Sequence, residues 1–327
     1  MILAITKTFL VLIIGTFSGY FFQKFTKKRK WLNSETLKKI AIFLQKLGMI
    51  WFISITYIGS LWILKMENFT RIISLAVVGA ISIVAGGVFA VIISKVKHYD
   101  SIKTGSMFCC GFFANTASIG GMICFYFLGE EGYALVPIFT FFMRFLYYGV
   151  GYPIANMYSE NFIKDRRVSH RIIEIIKDPF FYTGIGSVVI GLFFNLSNLD
   201  RPAIYTSVNE ILIPFTTFML LFSIGLNLKL SRISKYLQEC LYISLIRFLV
   251  LPLAILTIAL LLNYQAIDHG LPLKVSLIQA AMPVAFNSVV AANVYNLDVD
   301  LVNSCWIFTT IGVVFILPLL FWFINLF

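Results

Sequence analysis

The amino-acid sequence predicts an all-α polytopic membrane protein, and three observations lead to this fold class. First, 59% of the 327 residues are hydrophobic and only 13% are charged, whereas ordinary soluble domains carry roughly 25% charged residues. Second, the apolar residues form runs of about 20, the length that a helix needs to cross a bilayer. Third, the basic residues fall in short segments between these runs, so the formal charge of +11 indicates membrane topology and not a nucleic-acid-binding face.

Ten apolar runs predict ten transmembrane spans, which a polar segment divides into five and five. The chain is therefore predicted to comprise a first five-helix repeat at 1–157, a cytoplasmic linker at 158–179 and a second five-helix repeat at 180–327. Because each repeat has an odd number of spans, the second must be inverted relative to the first. In the linker, Val168–Ile176 is amphipathic and is expected to lie on the inner leaflet. The predicted spans are 3–22, 40–64, 72–94, 105–128, 132–157, 180–197, 205–227, 239–263, 272–294 and 301–326.

The basic residues also predict how the chain is oriented in the cytoplasmic membrane. Lys and Arg are concentrated in the segments that follow spans one, three, five and seven. Cytoplasmic loops carry such an excess, so these four segments are predicted to face the cytoplasm and both termini to lie outside. The first span is expected to be a retained anchor and not a cleaved signal, because its basic cluster follows the apolar run.

Two of the predicted spans contain polar, helix-weakening residues at mid-membrane depth. The fourth span holds Asn115–Gly121 and the ninth holds Pro283–Ser288, in which the proline is expected to stop the helix. Unpaired polar groups are costly in hydrocarbon, so irregular backbone is tolerated there only where it lines a cavity enclosed by protein. Interrupted spans at corresponding places in two repeats indicate the binding site of a secondary transporter. In the weak internal match between the repeats, Asn115 aligns with Asn287.

Several short motifs follow one another along nearly the whole chain. They are Asn115–Gly121, Leu128–Gly132, Lys177–Pro179, Ser223–Asn227, Arg247 before Pro252, Ala280–Asn287 and Ala291–Tyr295. With these motifs the sequence resembles the auxin efflux carrier family of permeases, within the wider group of bile-acid and anion transporters. Two features depart from the family pattern. Arg144 stands where the family often has Asn, and the first interrupted span has no proline.

The resemblance implies more about architecture than the residues alone. It implies ten spans as two inverted five-helix repeats, with the broken helices four and nine crossing each other, and transport of an organic anion. It also implies that spans one, two, six and seven form a scaffold, often dimeric, while spans three to five and eight to ten form a moving transport domain. The partners expected from it are a small organic anion, the lipid bilayer, a second copy of the chain and a coupling proton or sodium ion.

The crossing helices predict a midplane site for the anion. Their second halves should begin around Ser118 and Ser288, so that two helix N-termini, each with partial positive charge, point at one site. Polar side chains at these termini could donate to a carboxylate, or they could simply cap their own helices. The candidate substrate-binding residues are Asn115, Thr116, Ser118, Asn287, Ser288 and Arg144, and the candidate crossover backbone positions are Gly120, Gly121 and Pro283.

Three ionisable residues within the spans have alternative interpretations. Arg144, in the middle of span five, either grips the substrate carboxylate or offsets the negative ends of the first helix halves. Arg247, near the start of span eight, either snorkels to the interface or binds backbone carbonyls. Glu210, near the outer end of span seven, is a candidate site for a coupling proton or cation.

These features predict a secondary active or facilitative carrier that moves an organic anion by elevator-like alternating access. A sodium-coupled symporter of the bile-acid type is the alternative, and a non-transporting receptor or channel is more remote. The sequence has no Walker-type nucleotide motif and none of the motifs of an intramembrane enzyme, so we expect no enzymatic activity and no cofactor. No histidines or cysteines are spaced as metal ligands, so no metal is expected.

Overall fold

The computed structural model describes residues 2–29, 31–64, 69–160, 179–197, 199–226 and 233–327. Within these ranges the secondary structure is helical, with no β-strand beyond one isolated bridge. Six described helices are long and apolar enough to cross a membrane, and a pair bent by 76° makes a seventh if it is one span. The all-helical fold class is thus confirmed, whereas the ten-span inverted repeat stays a prediction. The amphipathic stretch expected at Val168–Ile176 lies outside the described residues.

The helix ends lie within six residues of the predicted runs, with the largest extensions at Lys28, Ser34, Ala134 and Ile233. The predicted second span extends at its start to Ser34, where Asn33 caps the helix by accepting a hydrogen bond from the Thr36 amide. The predicted fifth span is a bent series of short helical pieces. The helices are α1 (Ile2–Lys28), α2 (Ser34–Leu61), α3 (Phe69–Val96), α4 (Ser101–Phe112), α5 (Thr116–Ala134), α6 (Val136–Met157), α7 (Pro179–Leu196), α8 (Ile204–Gly225), α9 (Ile233–Leu261), α10 (Leu271–Ala280), α11 (Phe286–Val294) and α12 (Val299–Ile324).

The chain separates into two compact units. The first comprises Met1–Glu67, Gly121–Pro137 and Asp178–Lys229, and the second comprises Asn68–Gly120, Ile138–Lys177 and Leu230–Phe327. The boundary at Gly120 and Gly121 falls inside α5, directly after the interrupted part of the predicted fourth span. Each unit therefore draws on both halves of the sequence.

In the first unit, α1 and α8 run parallel and pack closely. A Cβ atom on Gly15 would lie 3.0 Å from the Leu221 side chain, and one on Gly19 would lie 2.2 Å from the Phe222 carbonyl oxygen. The backbones meet where Gly19 faces Gly225. Small residues at such contacts let membrane helices approach within van der Waals distance. The contacts advance together along both helices, so residues of α1 lie level with residues about 204 positions later in α8.

Polar contacts fasten one end of the first unit. Arg201, which precedes α8, forms an ion pair with Glu130 of α5, with its Nη1 2.7 Å from the carboxylate Oε2. The same guanidinium donates to the Gly59 carbonyl and to the Thr206 hydroxyl. The Asn195 amide nitrogen lies 2.8–3.0 Å from the carbonyl oxygens of Leu61, Trp62 and Leu64, at and just beyond the end of α2. These bonds satisfy backbone groups that a helix end leaves open.

In the second unit, α3 packs along α4, and a second ion pair joins the start of α4 to the start of α9. Lys103 Nζ lies 2.6 Å from Glu239 Oε1, and the Tyr99 hydroxyl donates to the same carboxylate. The Asp100 carboxylate caps α4 by accepting a hydrogen bond from the Lys103 amide. The cap and the ion pair fix the position of the start of α4, and α4 leads directly into the interrupted segment.

Candidate functional site

Both interrupted spans break in the second unit, and the two breaks pair with each other. We call Phe113–Asn115 the first arm and Pro283–Ala285 the second arm. Ala114 and Val284 form an antiparallel bridge. The Asn115 amide donates to the Pro283 carbonyl at 2.9 Å, and the Ala285 amide donates to the Phe113 carbonyl at 2.9 Å. Each arm thereby satisfies the backbone groups that the other arm would leave unpaired in an apolar interior.

Each arm is also held by a side chain from another helix. The Tyr147 hydroxyl of α6 accepts from the Ala114 amide at 2.9 Å and donates to the Ala114 carbonyl at 3.0 Å. The Thr309 hydroxyl of α12 accepts from the Val284 amide at 3.2 Å. Neither residue was predicted from the sequence, because one tyrosine and one threonine in apolar spans give no pattern. Their roles become visible only once the two arms are paired, because each residue contacts the central residue of one arm.

The bridge sets a register between the two arms that differs from the predicted match of Asn115 with Asn287. Since Ala114 faces Val284 and a helix begins two residues later in each arm, Asn115 corresponds to Ala285 and not to Asn287. The same register makes Ser118 equivalent to Ser288, each the third residue of its helix. The contacts match, because Ser118 donates to the Asn115 side-chain oxygen and Ser288 donates to the Ala285 carbonyl, both at 2.6 Å and both three residues back.

The candidate donors therefore divide into two groups. The three hydroxyls have protein partners, since Thr116 contacts the Met143 sulfur at 3.4 Å and the serines bond to their own arms. Asn115 and Asn287 are only partly buried. Within the described ranges the Nδ2 amide of Asn115 donates to no acceptor and the Asn287 side chain forms no hydrogen bond. The two asparagine amides are the predicted donors that stay available to a ligand.

Arg247 is buried beside the first arm. Its side chain is 1% exposed, and its Nη2 donates to the Cys110 and Phe113 carbonyls at 3.0 and 2.9 Å. These carbonyls end α4, where the helix dipole is negative. The expectation that Arg247 binds backbone carbonyls is thus met, and the alternative that it snorkels to the interface is wrong. The Arg247 Nε–H has no acceptor among the described residues.

Arg144 is partly buried on Met143–Leu146, one of the short pieces of α6. A π-helical turn at Tyr147–Gly151 follows it directly. Further π turns occupy Thr116–Gly120, at the start of α5, and Ile246–Val250, around Arg247. Such turns interrupt regular helices often at functional sites. In this unit the π turns contain Tyr147, Arg247 and the start of α5, all of which lie at the arms.

The predicted backbone positions occupy places that explain their residue types. A Cβ on Gly120 would lie 2.6 Å from Gln279 Oε1, so any other residue here would require the Gln279 side chain to shift. Gly121 opens the part of α5 that belongs to the first unit, and there a Cβ would lie 3.1 Å from the Tyr133 ring. Pro283 lies in the extended second arm, after α10 has ended at Ala280. Glu210 lies in the first unit, where it lines a cleft with Lys7.

The helical fold and the paired breaks define a membrane protein of the transporter class, and the comparisons with known proteins identify the family. Residues 1–322 match the family described as membrane transport protein. The chain belongs to this family, which confirms the resemblance to auxin efflux carriers. An uncharacterized transporter of Methanocaldococcus jannaschii is 25% identical over 318 residues, which cover 96% of each chain. An uncharacterized transporter of Methanothermobacter thermautotrophicus is 24% identical over 260 residues, which cover 80% of this chain and 81% of the relative.

Proposed function

We propose that this protein carries a small organic anion across the cytoplasmic membrane and binds it where the two arms pair. The antiparallel bridge between Ala114 and Val284 is the observation that supports this most directly. It brings the beginnings of α5 and α11 together. The amide groups at a helix start carry partial positive charge and unpaired N–H donors, so two such starts at one point favour a carboxylate.

The side chains near the arms favour an anion as well. The amides of Asn115 and Asn287 supply donors, and Arg144 is proposed as the residue that grips the carboxylate. The alternative role for Arg144 was to offset the negative ends of the first helix halves, α4 and α10. Arg247 already donates to the end of α4, so that role would concern the end of α10 alone. The sequences of both interrupted spans contain no Asp or Glu from Met107 to Leu128 or from Leu277 to Tyr295. A sodium-coupled symporter would need carboxylates there, so the carrier without a sodium site is preferred.

The proposed mechanism is elevator-like alternating access in a ten-span inverted repeat. Ser118 and Ser288 form matching hydrogen bonds, and the hydroxyls of Tyr147 and Thr309 each bind one arm, so that we call these two residues the clamps. This correspondence supports two repeats of similar structure. The division into two units supports a scaffold of spans one, two, six and seven, although Gly121–Pro137 belongs to the same unit as those spans. Both termini outside and a homodimer complete the proposal and rest on the loop charges and on the family.

Counterflow in proteoliposomes tests the proposal with mono- and dicarboxylates, with and without sodium. Asn115→Ala and Asn287→Ala should each reduce carboxylate transport roughly ten- to a hundredfold, because each removes a donor to an anion in a site of low polarity. Asn293→Ala is the matched control, since the Asn293 amide already donates to the Val289 carbonyl of its own helix. Arg144→Lys should raise the half-saturation concentration, because lysine lacks the planar fork. Asparagine variants that transport like the parent would move the site away from the arms.

A further inference from the structure

A cleft in the first unit carries two opposite charges that the proposed transport site does not use. The cleft has a volume of about 560 Å³ and lies among α1, α5 and α8, with Lys7, Glu210 and Tyr126 in its lining. The parallel packing of α1 and α8 puts Lys7 level with Glu210. Lys7 Nζ lies 6.0 Å from the centre of the Tyr126 ring. Neither Lys7 nor Glu210 forms an ion pair with a described residue, and both side chains are exposed.

The depth of these charges fits a lipid headgroup. Lys7 and Glu210 each follow the first residue of their helices by less than two turns of 3.6 residues. Charged side chains inside an apolar span are costly unless they meet a partner or reach the interface. A cation and an anion at one level, in one cleft, are complementary to a ligand that itself carries one negative and one positive group.

An apolar track leads away from the charges toward the middle of both helices. On α1, Leu10 and Ile14 are 52% and 50% exposed, and on α8, Ile211 and Phe215 are 67% and 48% exposed. Residues three, four and seven positions apart share a helix face, so Lys7, Leu10 and Ile14 line one face of α1. Large exposed apolar side chains in a membrane protein pack against acyl chains or another protein. The track thus continues the polar cleft as a surface that suits a lipid tail.

We propose that this cleft binds a zwitterionic phospholipid with a primary ammonium headgroup. The Lys7 ammonium pairs with the lipid phosphate, Glu210 accepts hydrogen bonds from the lipid ammonium, and one acyl chain lies along Leu10, Ile14 and Ile211. A quaternary headgroup cannot donate these hydrogen bonds, and a purely anionic headgroup places negative charge against Glu210. A second copy of the chain fits less well, because a symmetric contact would set one concave cleft opposite another. This assignment does not depend on which anion the protein carries.

Lipid competition measured by native mass spectrometry tests the assignment. Delipidated protein is mixed with equal amounts of phosphatidylethanolamine, phosphatidylcholine and phosphatidylglycerol, and retained lipid is counted. The parent should retain phosphatidylethanolamine about tenfold over the other two, the effect of one charge-assisted hydrogen bond. Glu210→Gln should abolish the preference over phosphatidylglycerol, and Lys7→Gln should weaken retention of all three. Glu35→Gln and Lys46→Gln, exposed charges elsewhere in the first unit, should change nothing.

Thermal stability in detergent gives a second readout that needs no mass spectrometry. Added phosphatidylethanolamine should raise the melting temperature of the parent and of both control variants, and should do so much less for Glu210→Gln. Equal retention of the three lipids by the parent, or an unchanged preference in Glu210→Gln, would overturn the assignment. If Lys7→Gln or Glu210→Gln instead converts a dimer to a monomer with lipid preference intact, the cleft is an interface between copies and the assignment is likewise wrong.

Discussion

The two arms perform the same task with different residues. In the register of the bridge, Phe113, Ala114 and Asn115 of the first arm correspond to Pro283, Val284 and Ala285 of the second. Both arms are extended, both are clamped by a hydroxyl from a later helix, and both lead into a helix whose third residue is serine. What is shared is therefore backbone geometry and hydrogen bonding. The side chains of the arms differ, since only the second arm contains proline.

The arms differ most in charge. Arg247 donates to two carbonyls at the end of α4, and no basic side chain among the described residues donates to the carbonyls of Ala280–Pro283. The first arm also has the amide of Asn115 where the second has Ala285, while Asn287 lies two residues further on, as the second residue of α11. An anion bound between the arms would thus meet different donors from each arm. The proposed site would be asymmetric even though the two arms share their backbone geometry.

Arg247→Met should have the largest effect, because it removes the feature that only the first arm has. Two charge-assisted hydrogen bonds to buried carbonyls are lost, and the free energy of unfolding should fall by about 3 kcal/mol. Thermal unfolding in detergent, followed by size-exclusion chromatography, measures this. Arg71→Met, an exposed arginine in the same unit, should change stability by no more than about 0.5 kcal/mol. Equal stability of both variants would mean that the end of α4 needs no cation.

The clamps should differ in strength by a predictable amount. Tyr147→Phe leaves both the amide and the carbonyl of Ala114 without their side-chain partner and should cost about 2 kcal/mol, whereas Thr309→Val removes one bond to Val284 and should cost about 1 kcal/mol. Both substitutions nearly preserve volume, so packing changes little. The same unfolding assay ranks them. A larger loss for Thr309→Val would show that the second arm depends more on its clamp than the first.

Much of the fold could be predicted from the sequence because the positions of the helices follow from the length of the apolar runs. Apolar runs placed the helices to within a few residues, and the polar residues at Asn115–Gly121 and Pro283–Ser288 located both breaks. The irregular backbone of the predicted fifth span could not be predicted in this way. Hydrophobicity records that Val136–Met157 is apolar, but not that its backbone bends and takes a π turn next to the arms.

The pairing of the arms was beyond the reach of sequence for a different reason. The register of the arms is set by backbone hydrogen bonds between residues about 170 positions apart. Residue identities in the sequence carry little information about such bonds. Matching Asn115 with Asn287 followed residue identity and differs by two residues from the register of the bridge. The role of Arg247 was foreseen only as a choice between the interface and backbone carbonyls, because burial of a cation is decided by what surrounds it.

Pro283→Ala should have the smallest effect, and it asks what breaks the second helix. Proline was expected to stop the helix by removing an amide donor, yet the first arm is extended without proline. If the pairing of the arms keeps the second arm extended, alanine at 283 retains the carbonyl that accepts from Asn115. The variant should then lose only about 0.4–1 kcal/mol through the freer unfolded chain, and carboxylate counterflow should stay near that of the parent. Transport lost in a variant of parental stability would instead assign the break to proline, and the two arms would then be alike in shape but not in what holds them.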